Sequence, residues 1–158
     1  MKPTPHDWPR ISATLFYDDP RAAIEWLCKT FGFTVRMVVD GPNNTVAHSE
    51  LEYGGGLIMV SGTPRDVADA QSYRNKFASP KGAGGHVTQS LAVHIDNADA
   101  HCAHAREHGA EIVAEPTDAD YGPDYWCDRN YAALDCEGHV WWFMQRVSTK
   151  GVLRDGGA

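Results

Sequence analysis

The sequence predicts an α+β fold built from two βαβββ modules. Asp19 to Gly32 and Asp96 to Gly109 frame two helix-like segments of equal length, 77 residues apart. Each follows a short apolar run, ISATLFYDD or QSLAVHIDN, and each leads into an extended stretch, GFTVRMVVD or GAEIVAEPT. A repeat at long period points to duplicated supersecondary units that bury their faces against each other. The functional site is therefore expected where the halves meet. At 158 residues the chain suits one compact domain, with module one at about 10–61, a connection at about 62–88, module two at about 89–147 and a tail at 148–158.

Ile11 to Tyr17 reads as the first strand. Asp18, Asp19 and Pro20 then provide an acidic N-cap region followed by the proline favoured at a helix start. Ala22, Ala23, Trp26, Leu27, Thr30 and Phe31 recur at helical spacing, and Gly32 stops the helix. Phe33 to Val39, Thr45 to Glu52 and Leu57 to Val60 read as strands, separated by the turn formers GPNN and GGG. Ser61 to Val87 shows little periodicity and reads as a long surface connection. The second module runs through a strand at Gln89 to Ile95, a helix at about Ala98 to His108 and a strand near Glu111 to Glu115. Strands at Arg129 to Leu134 and His139 to Arg146 close it, joined by the turn DCEG, and the tail is expected to fray.

The balance of 21 acidic against 14 basic residues gives a formal charge of −7, which repels phosphate backbones and argues against nucleic acid as a partner. No apolar run is long enough to cross a bilayer, so no membrane association is expected. The opening MKPTPHDWPR has no apolar segment of the secretory kind. Cys28, Cys102, Cys127 and Cys136 lack the paired spacing of zinc ribbons and read as free thiols in a reducing cytoplasm.

With the order βαβββ twice and the strings LFYDDPRAAIEWLCKTFGF, HSELEYGG and YAALDCEGHVWWFMQ, the chain resembles the vicinal oxygen chelate superfamily of glyoxalases, bleomycin resistance proteins and extradiol dioxygenases. Within it, the chain looks most like the PhnB-like branch. The resemblance spans Ile11 to Arg146 and implies that each module curls a mixed sheet into a U-shaped half, that the two halves form a cup, and that the protein is a homodimer. Enzymes of the superfamily hold a divalent metal with four side chains, and the matching positions here are Ser12, Glu50, Ser90 and Trp142. Of these only Glu50 is a competent ligand, because an indole has no electron pair for a metal and serine hydroxyls are weak neutral donors. No metal or other cofactor is therefore expected.

Strand alternation puts His48, Glu50 and Glu52 on one face, Ser90, Ala92 and His94 on another, and Val140, Trp142 and Met144 on a third. His48, Glu50 and His94 are the candidate catalytic residues, as a shifted metal site or as an imidazole and carboxylate pair for proton transfer. The competing reading is a polar cavity floor in which they satisfy one another. Ser12, Phe16, Ser90, Trp126, Arg129 and Trp142 are the candidate ligand-binding residues. Trp142 is expected inside the cup as a stacking surface, with Trp141 on the opposite face, and Arg129 either meets an anionic group or forms a surface ion pair. YGPDYWCD is expected as a rim or flap. His101, His104 and His108 share a helix face, but Ala98, Cys102 and Ala105 form the stripe expected to enter the core. The sequence thus predicts a protein that binds a small, partly apolar or aromatic molecule without the family metal. The alternative is a lyase, isomerase or dioxygenase using His48, Glu50 and His94.

Overall fold

The computed structural model describes residues 2–6, 8–64 and 71–149. It has two four-stranded mixed sheets, each made by one βαβββ module. In the first, β1 (Ala13–Tyr17), α1 (Pro20–Phe31), β2 (Thr34–Asp40), β3 (Val46–Tyr53) and β4 (Gly56–Gly62) give the strand order β1-β4-β3-β2. In the second, β5 (Ser90–His94), α2 (Ala98–Glu107), β6 (Glu111–Asp120), β7 (Trp126–Leu134) and β8 (Val140–Thr149) give β5-β8-β7-β6. The chain divides into two compact units, one with each sheet, and the turn Cys136–Gly138 groups with the first.

α1 begins where the sequence places it, because the Asp19 side chain accepts the Ala22 N–H and Pro20 needs no donor there. It ends at Gly32, whose φ of 79° suits a residue without Cβ. The helix covers one face of its sheet. Leu15, Tyr17, Leu51, Ile58 and Val60 are buried together with Ala23, Leu27 and Phe31. In the second unit Ala98, Cys102 and Ala105 are the buried stripe of α2, and Tyr131, Ala133, Trp141 and Phe143 are buried in the same unit. Each helix covers only one face, so alternate strand residues point to a face with no helix.

The motif that carried the family resemblance proves to be architectural. Asp135 accepts the His139 N–H at 3.0 Å and the Trp141 indole N–H at 3.0 Å. Glu137 accepts the N–H groups of Asp18 and Asp19 at 2.7 and 2.9 Å, and so ties down the entry to α1. Gly138 adopts a φ of 97°, Trp141 and Phe143 are fully buried, and Gln145 accepts the Ala98 N–H at the start of α2. The motif thus serves turns, core and helix ends.

The second module departs from the sequence reading in its strand ends. β6 continues to Asp120 through Pro116, which an edge strand tolerates because one side of its backbone has no ladder to feed. β7 starts at Trp126, so YGPDYWCD forms the tip of the β6 to β7 hairpin and the start of β7, closed by the Tyr121 N–H to Trp126 carbonyl bond. β8 reaches Thr149, which takes Ser148 and Thr149 out of the expected tail; residues 150–158 lie outside the described residues. The long connection contains a 3₁₀ turn at Tyr73–Lys76, and residues 65–70 of it are likewise outside the described set.

Candidate functional site

On the helix-free face of the first sheet, β3 presents His48, Glu50 and Glu52, alternating with Ser49 and Leu51, which join the core. Glu50 is only 4% exposed. Its Oε1 lies 2.8 Å from His48 Nε2, and its Oε2 lies 3.2 Å from Arg36 Nε. A carboxylate can only accept, so it favours an imidazole with hydrogen on Nε2. Arg36 also approaches Glu52, at 3.3 Å, and lies 5.7 Å from the centre of the Trp8 ring. Sequence reasoning missed Arg36 because an arginine in an alternating strand reads as a solvated side chain. A break in the β2 to β3 register between Val35 and Met37 accompanies its reach to the glutamates.

Next to this network a cavity of about 690 Å³ is lined by Thr4, Pro5, Trp8, Arg36, Glu52 and Leu57, among others. None of the sequence-predicted ligand residues lines it. On the same unit, Phe16 alternates with the buried Leu15 and Tyr17 and stacks on Phe77. The Ser12 hydroxyl is buried without a hydrogen-bond partner.

The helix-free face of the second sheet is set by cross-strand register. Ser90 pairs with Val140, Ala92 with Trp142 and His94 with Met144, while Ala132 pairs with Trp142 on its other side. Trp142 therefore stands between two alanines and is 40% exposed, whereas Trp141 is fully buried. Trp126 lies under the Arg146 guanidinium, 4.7 Å from its ring centre, with Tyr121 and Tyr125 beside it at ring distances of 5.7 and 6.0 Å. Arg146 pairs in turn with the buried Asp128.

Arg129 takes the ion-pair alternative. It alternates with Asp128 and Asn130, pairs with Asp99 of α2 through two 2.8 Å bonds, and meets Asp118 at 2.8 Å. Those contacts raise its pKa further and hold the Asp99 carboxyl below the usual carboxylate range. The α2 histidines serve contacts within their own unit: His101 Nδ1 lies 2.5 Å from the Tyr131 hydroxyl, and the His104 and His108 rings stack at 4.1 Å.

A family model described as glyoxalase/bleomycin resistance protein/dioxygenase superfamily matches residues 10–143. The chain belongs to this superfamily. Among its relatives is an uncharacterised protein of Mycobacterium bovis, 28% identical over 139 residues that span 88% of this chain and 84% of the relative. Among solved structures, TioX from Micromonospora sp. ML1 is 28% identical with a TM-score of 0.62, over 89% of this chain and 98% of that one. TnmS3, an antibiotic binding protein from Streptomyces sp. CB03234, shares the fold at 17% identity and a TM-score of 0.59, covering 85% and 93% of the two chains.

At the positions that the family resemblance implies for the divalent metal of superfamily enzymes, the side chains of this chain do not suit that ion. Trp142 has no lone pair to give, Ser12 and Ser90 offer neutral hydroxyls, and the one carboxylate, Glu50, already faces a guanidinium. Among the described residues no group of three or more His, Cys, Asp or Glu side chains is arranged to hold a metal ion.

All four cysteines are free thiols. Burial pushes the Cys28 and Cys102 thiols up, so they stay protonated at neutral pH, whereas Cys136 is exposed. Reaction of the native protein with an aromatic disulfide reagent is expected to modify Cys136 first and Cys102 last, and Cys136→Ser to remove the fast phase. Mapping the labelled peptide by mass spectrometry checks this; prior labelling of Cys102 would contradict the packing of α2.

Proposed function

We propose that the protein binds a small, partly apolar or aromatic molecule on the helix-free faces of its sheets, without the superfamily metal. The observation that carries this reading is Trp142. An indole left 40% exposed between Ala92 and Ala132 is a flat stacking platform with no bulky neighbour across either strand. Phe16 offers a second aromatic surface in the first unit, and Trp126 with Arg146 a third in the second. TnmS3 shows that this fold can serve an antibiotic binding protein. Placement in the PhnB-like branch, a homodimeric state and a cytoplasmic location complete the reading.

The test is a titration with acridine, a planar heterocycle, at mildly alkaline pH. Trp142→Ala is expected to weaken binding about tenfold, the value of one lost ring stack of roughly 1.5 kcal/mol. Equal affinity in the variant would remove Trp142 from the site. Titration with zinc or manganese is expected to give no stoichiometric uptake, and a tight one-to-one site lost in Glu50→Gln would overturn the metal-free part.

A second reading, acid/base catalysis, rests on the 2.8 Å contact between His48 and Glu50. An imidazole oriented by a buried carboxylate has the geometry of a general base. His94 joins this reading as a candidate from the second unit, where it shares a face with Ser90 and Trp142. Loss of turnover in both His48→Ala and His94→Ala, once a substrate is known, would favour it over binding alone.

A further inference from the structure

The Phe16 surface of the first unit already holds an aromatic ring. Phe77 lies over Phe16 with ring centres 4.3 Å apart and planes 9° from parallel, the arrangement of a stacked ligand. Phe77 is nevertheless 38% exposed, and Tyr73, which meets its ring at 6.0 Å and 88°, is 67% exposed. The pair therefore covers Phe16 from the solvent side without being part of the core.

The chain that delivers Phe77 is anchored at Ser79. Ser79, fully buried, donates its hydroxyl to Asp18 at 2.9 Å, and its N–H bonds Thr63 Oγ1 at 3.1 Å. Gly82 N–H in turn bonds the Ser79 hydroxyl at 2.9 Å. Two residues before that anchor, the 3₁₀ turn is closed by its own bonds: Arg74 N–H to Ser72 Oγ, Asn75 N–H to the Ser72 carbonyl, and Phe77 N–H to the Arg74 carbonyl. These bonds hold the shape of the turn independently of the Phe16 ring, so the seating of Phe77 on Phe16 is a contact added to a turn that closes on itself.

We propose that Phe77 is an internal stand-in for the ligand, a ring seated on Phe16 that a planar aromatic molecule displaces. The proposal rests on the binding reading above and names the ligand class it favours: a flat ring system about as large as the phenyl group it replaces, or larger. It also makes the binding-competent form a fraction of the population. A plug seated about nine-tenths of the time weakens apparent affinity about tenfold, because the ligand meets an open seat only in the remainder.

The experiment measures acridine affinity by fluorescence for the wild type, Phe77→Ala, Phe77→Leu, Phe16→Ala and the Phe16→Ala/Phe77→Ala double variant, with circular dichroism to confirm folding. Phe77→Ala is expected to bind about three- to tenfold more tightly. Phe77→Leu should fall between it and the wild type, because a leucine covers Phe16 but cannot stack. Phe16→Ala is expected to weaken binding, and the gain from Phe77→Ala should vanish in the double variant. Equal or weaker acridine binding by Phe77→Ala overturns the stand-in and leaves the binding reading in place. Binding by neither the wild type nor Phe77→Ala overturns both.

Discussion

Trp141→Ala is expected to lower the unfolding free energy by about 3–5 kcal/mol, the range for deleting a fully buried large aromatic side chain. Trp141 has no exposed surface, stacks near Phe143 at a ring distance of 6.4 Å, and gives its indole N–H to Asp135. Alanine there leaves a cavity and takes the indole donor away from the Asp135 carboxylate. The adjacent Trp142→Ala should cost less than about 1 kcal/mol, because its ring is partly in water already. Urea denaturation of the two variants side by side checks this. A Trp142 variant destabilised as much as the Trp141 variant would show that both rings are core, and would remove the stacking platform on which the proposed function stands.

Asp135→Ala is expected to cost about 2–4 kcal/mol. Its carboxylate accepts two donors, the His139 N–H and the Trp141 indole N–H, and alanine removes that acceptor from both, at about 1–3 kcal/mol each before relaxation. Asp135 and Trp141 share one of those bonds, so their losses should not add: the double variant is expected to be less destabilised than the two single variants together. Additive losses in urea melts would mean that the carboxylate and the indole act independently, against the 3.0 Å geometry.

α1 was readable in the sequence almost to the residue because its limits are set by local chemistry. Asp19 caps it, Pro20 starts it and Gly32 ends it through a backbone angle that disfavours other residues. The strand ends of the second module were less readable, since Pro116 reads as a stop unless one knows that β6 is an edge. The split of the two tryptophans followed from alternation alone. Arg36 and Phe77 were not readable, because one depends on a break in strand register and the other on a turn that brings distant residues together. Cys136 to Gly138 likewise looked like a hairpin turn of the second module, and only three dimensions showed Glu137 serving the start of α1.

The two sheets look duplicated, yet they are sewn differently along one seam. β7 and β8 pair from Trp126 with Thr149 to Leu134 with Val140, interrupted by a single register shift. β3 and β4 pair only across Leu51–Tyr53 and Gly56–Ile58. Beyond that short ladder, the buried Ser49 hydroxyl takes over: it donates to the Val60 carbonyl at 2.7 Å and accepts the Val60 N–H at 2.9 Å. One hydroxyl thus stands in for a missing stretch of backbone ladder. This makes position 49 a constraint particular to the first sheet. Any residue there without a hydroxyl strands both polar groups of Val60, so the first sheet is expected to drift in sequence less freely at this point than its partner and to unzip there first.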